Sequence, residues 1–263
     1  MKTLTNTLVA ATLAFGATAA NAGMDISNTK SSEAFLSVYD SNSKQTFTLD
    51  LGIAGVTAGT LFDNLNNPRY NVNVDLSQFA DWNTFVSKAD LDNTIYAVAV
   101  SGTWDYLPHV FLTGKDTTFF QGKSLNDIDN LGGNAVIPQA RNINADSNSS
   151  QNPAVNETTL VEDGDEHIGH HEHRAGSRQV WGGASYDVNG VYGDANGIDF
   201  TMISVDVSDL TNIHARQDAA AFKVYLTGNA FEMQAPVPVP AAVWLFGSAL
   251  LGLGGFSRRV KKA

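Results

Sequence analysis

Apolar and polar residues alternate with a period of two early in the chain. Phe47, Leu49 and Leu51 interleave with Thr46, Thr48 and Asp50, so an extended segment over Gln45 to Leu51 turns one side to a core. A second β-favouring run, Ala34 to Tyr39, precedes it across the polar cluster Asp40-Ser-Asn-Ser-Lys44. Together they predict a β-hairpin with a five-residue loop. The period then lengthens. Phe79, Trp82, Phe85 and Val86 recur at spacings of three and four, which predicts one amphipathic helix over Leu76 to Ala89, capped by Asp75 or Ser77. Thr94 to Ser101 is nearly continuous in apolar residues and reads as a central strand, and His109 to Thr113 as a shorter one.

Between Gln139 and Ser177 the pattern lapses into an Asn- and Ser-rich stretch followed by an acidic, histidine-bearing one, the mark of a long functional or disordered insertion. Strand patterns resume at Val180-Trp181, at Ile198 to Val207 and at Ala221 to Thr227. Strands on both sides of an insertion, with few helices between them, predict an all-β ectodomain over residues 23–235. The expected form is a single antiparallel β-sandwich, jelly-roll-like, with one or two short helices and a polar insertion at about 139–177.

The two ends of the chain carry a different kind of pattern. Met1-Lys2, an apolar run from Leu8 to Ala20, and the small residues Ala20 and Ala22 before Gly23 have the order of a secretory signal peptide, residues 1–22, cleaved after Ala22. At the other end Ala241 to Ser257 hold no charge. As a helix this run is about 25 Å long, close to a hydrocarbon core of about 30 Å, and predicts a transmembrane helix. Arg258, Arg259, Lys261 and Lys262 form a basic stop that snorkels to headgroups, and Pro240 suits the first helical position.

Val237, Pro238, Val239, Pro240 and Ala241, followed by Ala242-Val-Trp-Leu-Phe-Gly-Ser248, the Gly- and Leu-rich helix and Arg258-Arg259, closely resemble the PEP-CTERM sorting signal of Gram-negative bacteria. Val239 stands where that family often has Glu. The resemblance covers residues 236–263. It implies recognition by an exosortase, a membrane-embedded cysteine transpeptidase-like enzyme that cuts near the proline motif. It also implies an inner-membrane precursor with a periplasmic ectodomain, later at the cell surface or extracellular, in the company of exopolysaccharide and biofilm. Partners implied are the exosortase, the inner membrane transiently, and extracellular polysaccharide.

Charge narrows the partners further. All 27 acids lie between the two end segments. The 16 bases divide as one in the signal peptide, four in the basic stop and 11 between, so the ectodomain carries a net charge of −16. Such a surface repels nucleic acid phosphates and anionic lipid. The chain has no cysteine, which excludes disulfides, thiolate metal sites and a Cys nucleophile.

The densest set of candidate ligands is His167, His170, His171 and His173, beside Glu162, Asp163, Asp165, Glu166 and Glu172. Imidazoles and carboxylates suit zinc, nickel or copper(II). Two glycines and no periodicity make this a polar loop holding at most an adventitious divalent cation, with no cofactor implied. Asp187 to Asp199 offers oxygen ligands on a Gly-rich turn but lacks the spacing and terminal Glu of a calcium loop. Gly122-Lys123-Ser124 lacks the earlier glycine of a phosphate loop, and His109 and His214 have no triad partners. Trp104, Tyr106 and Trp181 are candidates for a sugar-stacking platform. The sequence therefore points away from an enzyme and towards a structural or adhesive surface protein. The alternatives are a carbohydrate- or divalent-cation-binding module and, behind it, a secreted metal-dependent hydrolase.

Overall fold

The computed structural model describes residues 25, 27–105, 107–131, 136, 158–161, 188–206, 214–218 and 221–235. The first hairpin is formed by β1 (Phe35–Asp40) and β2 (Gln45–Asp50), paired from Phe35 opposite Asp50 to Asp40 opposite Gln45. Its loop is one residue shorter than the pattern suggests, because Asp40 still belongs to the ladder. The Asp40 carboxylate accepts the backbone N–H groups of Asn42 (3.2 Å) and Ser43 (2.7 Å), and Lys44 closes the turn at φ 54°. Phe47 and Leu49 enter the core, as the alternation predicts, but Thr46 and Thr48 on the opposite face are buried as well.

A 3-10 turn over Leu51–Ala54 leads to α1 (Ala58–Asp63), opened by a capping box in which Thr57 and Thr60 each accept the other's backbone N–H. Strand β3 (Asn71–Asp75) follows. The single helix expected over Leu76 to Ala89 is instead a 3-10 turn at Leu76–Gln78 and a separate α2 (Ala80–Lys88). Phe79 breaks it at φ −97° and ψ 126°. The cause is that Leu76 is still tied to the sheet, its N–H donating to Asn229 O at 2.7 Å, so the chain must turn before a helix can start. The Asp75 carboxylate caps the 3-10 turn by accepting the Ser77 N–H at 3.0 Å.

The remaining elements are β4 (Thr94–Trp104), β5 (Leu107–Thr113), α3 (Leu125–Leu131), β6 (Thr158–Val161), β7 (Gly190–Val191), β8 (Ile198–Asp206), β9 (His214–Gln217), β10 (Phe222–Thr227) and β11 (Ala230–Gln234). All pairings are antiparallel. The strands lie along one hydrogen-bonded path, β3-β11-β10-β8-β5-β4-β1-β2-β6, with β7 attached to β4 and β9 to β8. The fold is thus all-β with short helices, a single sheet that curls. Strand β4 sits in its middle, as its apolar density predicts.

Curling gives the sheet an inner and an outer core. The inner face collects Leu36, Val38, Phe47, Leu49, Tyr96, Val98, Phe111, Phe200, Phe222, Val224, Phe231 and Met233. Trp82 and Phe85 of α2 complete it. Trp82 meets Phe47 edge-on at 5.2 Å and stacks on Phe85 at 5.6 Å, while its indole N–H donates to Asn229 Oδ1 at 2.9 Å in the β10–β11 turn. One side chain therefore joins β2, near one end of the path, to the turn beside its other end. The outer face gathers Phe35, Ala97, Ala99, Val110, Leu112, Ile203 and Val205 under Phe120 and Ile128, the latter on α3. Burial on both faces explains why β4 lacks polar alternation.

Replacing Trp82 by Ala removes a fully buried indole and is expected to cost about 3–5 kcal/mol. Trp82→Phe, which keeps ring packing but loses the hydrogen bond to the exposed Asn229, is expected to cost about 1 kcal/mol. Urea unfolding of the two variants measures both.

Two carboxyl groups respond to pH with opposite sign. Burial would raise the Asp40 pKa, but the donors of Ser43 and Asn42 outweigh it and hold it below the ordinary value. At Asp81 burial prevails over the Thr158 hydroxyl, which donates at 2.8 Å, and the pKa is raised. Relative to an unfolded Asp titrating near about 3.9, the folded protein binds fewer protons at Asp40 and more at Asp81. Asp40→Asn is expected to lose stability on the order of 1 kcal/mol at pH 7, a loss that fades as pH falls through the depressed value. Asp81→Asn is expected to match or exceed the parent at pH 7 and to lose any advantage below about pH 4. Unfolding curves at pH 7 and pH 3 give the two signs.

Candidate functional site

The ladder beside β4 changes partner part-way along, and a cavity opens near that change. Strand β5 pairs with β4 from Trp104 to Ala99 and then stops, while Tyr96 and Ile95 pair with Gly190 and Val191 of β7. Thr113 splices the two. Its hydroxyl accepts the Val98 N–H at 3.1 Å and donates to Val188 O at 2.8 Å, replacing backbone partners that neither strand supplies. The chain then leaves through Gly114, whose N–H donates to Asp199 O at 2.8 Å.

The cavity beside this splice has a volume of about 250 Å³ and is lined by Lys115, Asn189, Val191, Asp194, Asp199 and Lys223, among others. Two of its glycines are required by space. A Cβ on Gly190 would run into the Tyr96 ring, and one on Gly197, which has φ 59°, would meet Val224 O and the Tyr225 ring. Lys223 Nζ lies 2.8 Å from Asp199 Oδ1, across the β10–β8 register in which those residues face each other. Asp194 Oδ1 accepts the Asn196 backbone N–H at 2.9 Å and its side-chain amide at 3.1 Å, forming an Asx turn. Val191, 42% exposed, supplies an apolar rim.

Two ammonium and two carboxylate groups make this lining neutral, although residues 23–235 as a whole carry a net negative charge. Such a set offers donors and acceptors to a small hydroxyl-bearing group. The two lysines work against calcium, and within the Asp187 to Asp199 stretch the turn residues around Asp194 join β7 to β8. Tyr96 beneath the cavity is no acid–base group. Burial, then the negative charge of Asp194 and the neighbouring Tyr225, push its pKa far above the ordinary phenol value, so its hydroxyl stays protonated and donates to Val224 O at 2.9 Å.

The other sequence candidates divide between resolved structural roles and undescribed chain. Ser124 is a helix cap rather than a phosphate ligand, its N–H (2.9 Å) and hydroxyl (2.8 Å) both donating to Asp127 Oδ2. Lys123 lies over the Phe119 ring, 4.8 Å from its centroid. His109 is buried edge-on to Phe62 at 5.9 Å, and His214 opens β9 opposite Asp206. Trp104 closes β4 opposite Leu107, whereas Tyr106 and Trp181 lie outside the described residues. Also outside them are His167, His170, His171 and His173, the signal segment with Ala20, Ala22 and Gly23, and residues 236–263. Among the described residues no three His, Asp or Glu side chains gather as a metal site, and no helix is long and apolar enough to cross a membrane.

Lys115, Lys223 and Thr113 were not singled out by sequence. The Gly-rich turn marked the place, but lysines from β10 and from the chain after β5 reach it only through the fold. No protein-family model matches the chain, and comparison with curated proteins and with solved structures finds no match either.

Thr113→Val keeps the shape of the splice but leaves the Val98 N–H and Val188 C=O without it. It is expected to destabilise by about 1–3 kcal/mol, with Thr113→Ser restoring most of the loss in the same urea titration.

Proposed function

We propose that this chain is an exported surface or matrix protein with a structural or adhesive role, delivered by an exosortase-type system to an exopolysaccharide matrix. The observation that carries the reading is the order of its parts. The proline-patterned motif begins at Val237, three residues after the end of β11 at Gln234, and is followed by the uncharged run and the basic stop. Ala235, between them, is still anchored, its N–H donating to Tyr70 O at 3.0 Å. A processing enzyme would therefore meet the proline-patterned motif next to a firmly held strand. At the other end, Asp25 follows the proposed cleavage site closely and already bonds to the fold, its C=O accepting the Glu33 N–H at 2.8 Å.

The delivered part is an acidic, cysteine-free β-domain, proposed to form a jelly-roll-like sandwich as its two sheet ends approach across α2. Its high negative charge favours solubility and disfavours nucleic acid. The neutral cavity at Lys115, Asp194, Asp199 and Lys223 is the proposed contact for a polysaccharide hydroxyl cluster. Its volume of about 250 Å³ is below that of sites that enclose drug-sized ligands, so it would grip one sugar unit of a longer chain.

The mass of the mature protein tests both ends at once. Expected are a start at Gly23 and an end between Val237 and Ala242, with Pro238→Ala/Pro240→Ala or deletion of Arg258 to Ala263 leaving full-length protein in the membrane. Unchanged release of those variants would overturn the sorting reading. Lys223→Met is expected to leave processing intact and to loosen retention in the matrix.

A further inference from the structure

The strand path ends at β3, and among the described residues no strand pairs with its outer edge. The inner edge fixes which backbone groups that outer edge presents. Leu76 N–H donates to Asn229 O and Ala235 N–H to Tyr70 O, so residues 70, 72, 74 and 76 aim their peptide groups at β11. Asn71, Asn73 and Asp75, at the alternate positions, aim theirs outward. Their side chains are exposed on the outer face, while Val72 and Val74 are buried in the inner core.

We propose that β3 pairs edge to edge with β3 of a second copy about a two-fold axis at Asn73. The strand is self-complementary in that register. Asn73 faces the partner's Asn73, Asn71 faces the partner's Asp75, and Val72 faces the partner's Val74. The three outward-aimed positions form doubly hydrogen-bonded pairs, and the two inner cores run together across the joint. Charge selects the same register. Asp75 meets an amide donor rather than another Asp75, and the Arg69 end of one strand comes beside the Asp75 end of the other. A two-fold pairing also closes on itself, whereas joining β3 to the opposite sheet edge at β6 would propagate without limit. The edge carries no inward charge or proline within Asn71–Asp75 to prevent pairing. This inference is independent of how the protein is sorted.

The absence of cysteine makes the test direct. In the full chain, solubilised in mild detergent, Asn73→Cys places two thiols across the axis. Paired positions of this kind have Cα atoms about 5.5 Å apart, within disulfide range. The expected result under mild oxidation is a disulfide-linked species of twice the chain mass, formed at least about tenfold faster than from Ser41→Cys in the exposed β1–β2 loop. Asn73→Pro, which removes an outward N–H and none directed at β11, is expected to convert the sedimenting dimer to a monomer that keeps the parent's far-UV circular dichroism. Equal crosslinking of the two Cys variants, or a dimer that persists in Asn73→Pro, overturns the proposal. Sedimentation of the parent as a monomer at all concentrations also overturns it.

Discussion

Trp82 holds the curled sheet in its curl. An antiparallel sheet of this length has two ends that twist apart, and something apolar must occupy the space between them. The indole does so from α2, against Phe47 of β2 on one side and with its N–H tied to the β10–β11 turn on the other. The break at Phe79 serves this placement. Leu76 continues the β3 ladder, and only after the chain turns can Ala80–Lys88 cross the opening with Trp82 and Phe85 pointing inward. A continuous helix from Leu76 would sacrifice either that ladder bond or the plug.

From this constraint the middle of the sheet follows. Curling buries the inner face, α3 and the Phe119–Phe120 segment cover the outer one, and β4 is left with apolar neighbours on both sides. A strand in that position cannot leave a peptide group unpaired. Where β5 gives out, Thr113 stands in with a hydroxyl, and β7 resumes the ladder two residues on. The small cavity is a by-product of that change of partner, and its floor exists because Gly190 and Gly197 leave room for Tyr96 and Tyr225. Architecture and candidate site therefore share one cause.

Much of this was legible in the chain. The β1–β2 hairpin, β4, β5, β8 and β10 announce themselves through alternation or apolar density over runs long enough to outweigh local propensity. Strands β3 and β11 do not. Asn71-Val-Asn-Val-Asp75 carries Asn and Asp, which are poor strand formers, and is ordered by pairing with Ala230–Gln234, more than 150 positions away. The Gly228-Asn229 pair between β10 and β11 was the available hairpin signal, with Gly228 at φ 55°. The helix break at Phe79 depended on a tertiary bond that periodicity does not encode. The site was half legible. Its Gly-rich turn was marked by composition, but the lysines that set its charge belong to separate segments and meet there only after folding.

The position of β11 bears on any load carried through the segment that follows it. The strand is paired on both sides, to β10 and to β3, and its last described residue is tied to Tyr70. A pull on Ala235 directed along the strand would load the bonds of two ladders together in shear rather than opening them one after another. An edge strand in this place would have one ladder to resist the same load. Keeping β3 outside β11, although β3 itself is short and polar, gives the C-terminal strand its second ladder and so makes the end of the domain its mechanically secured part.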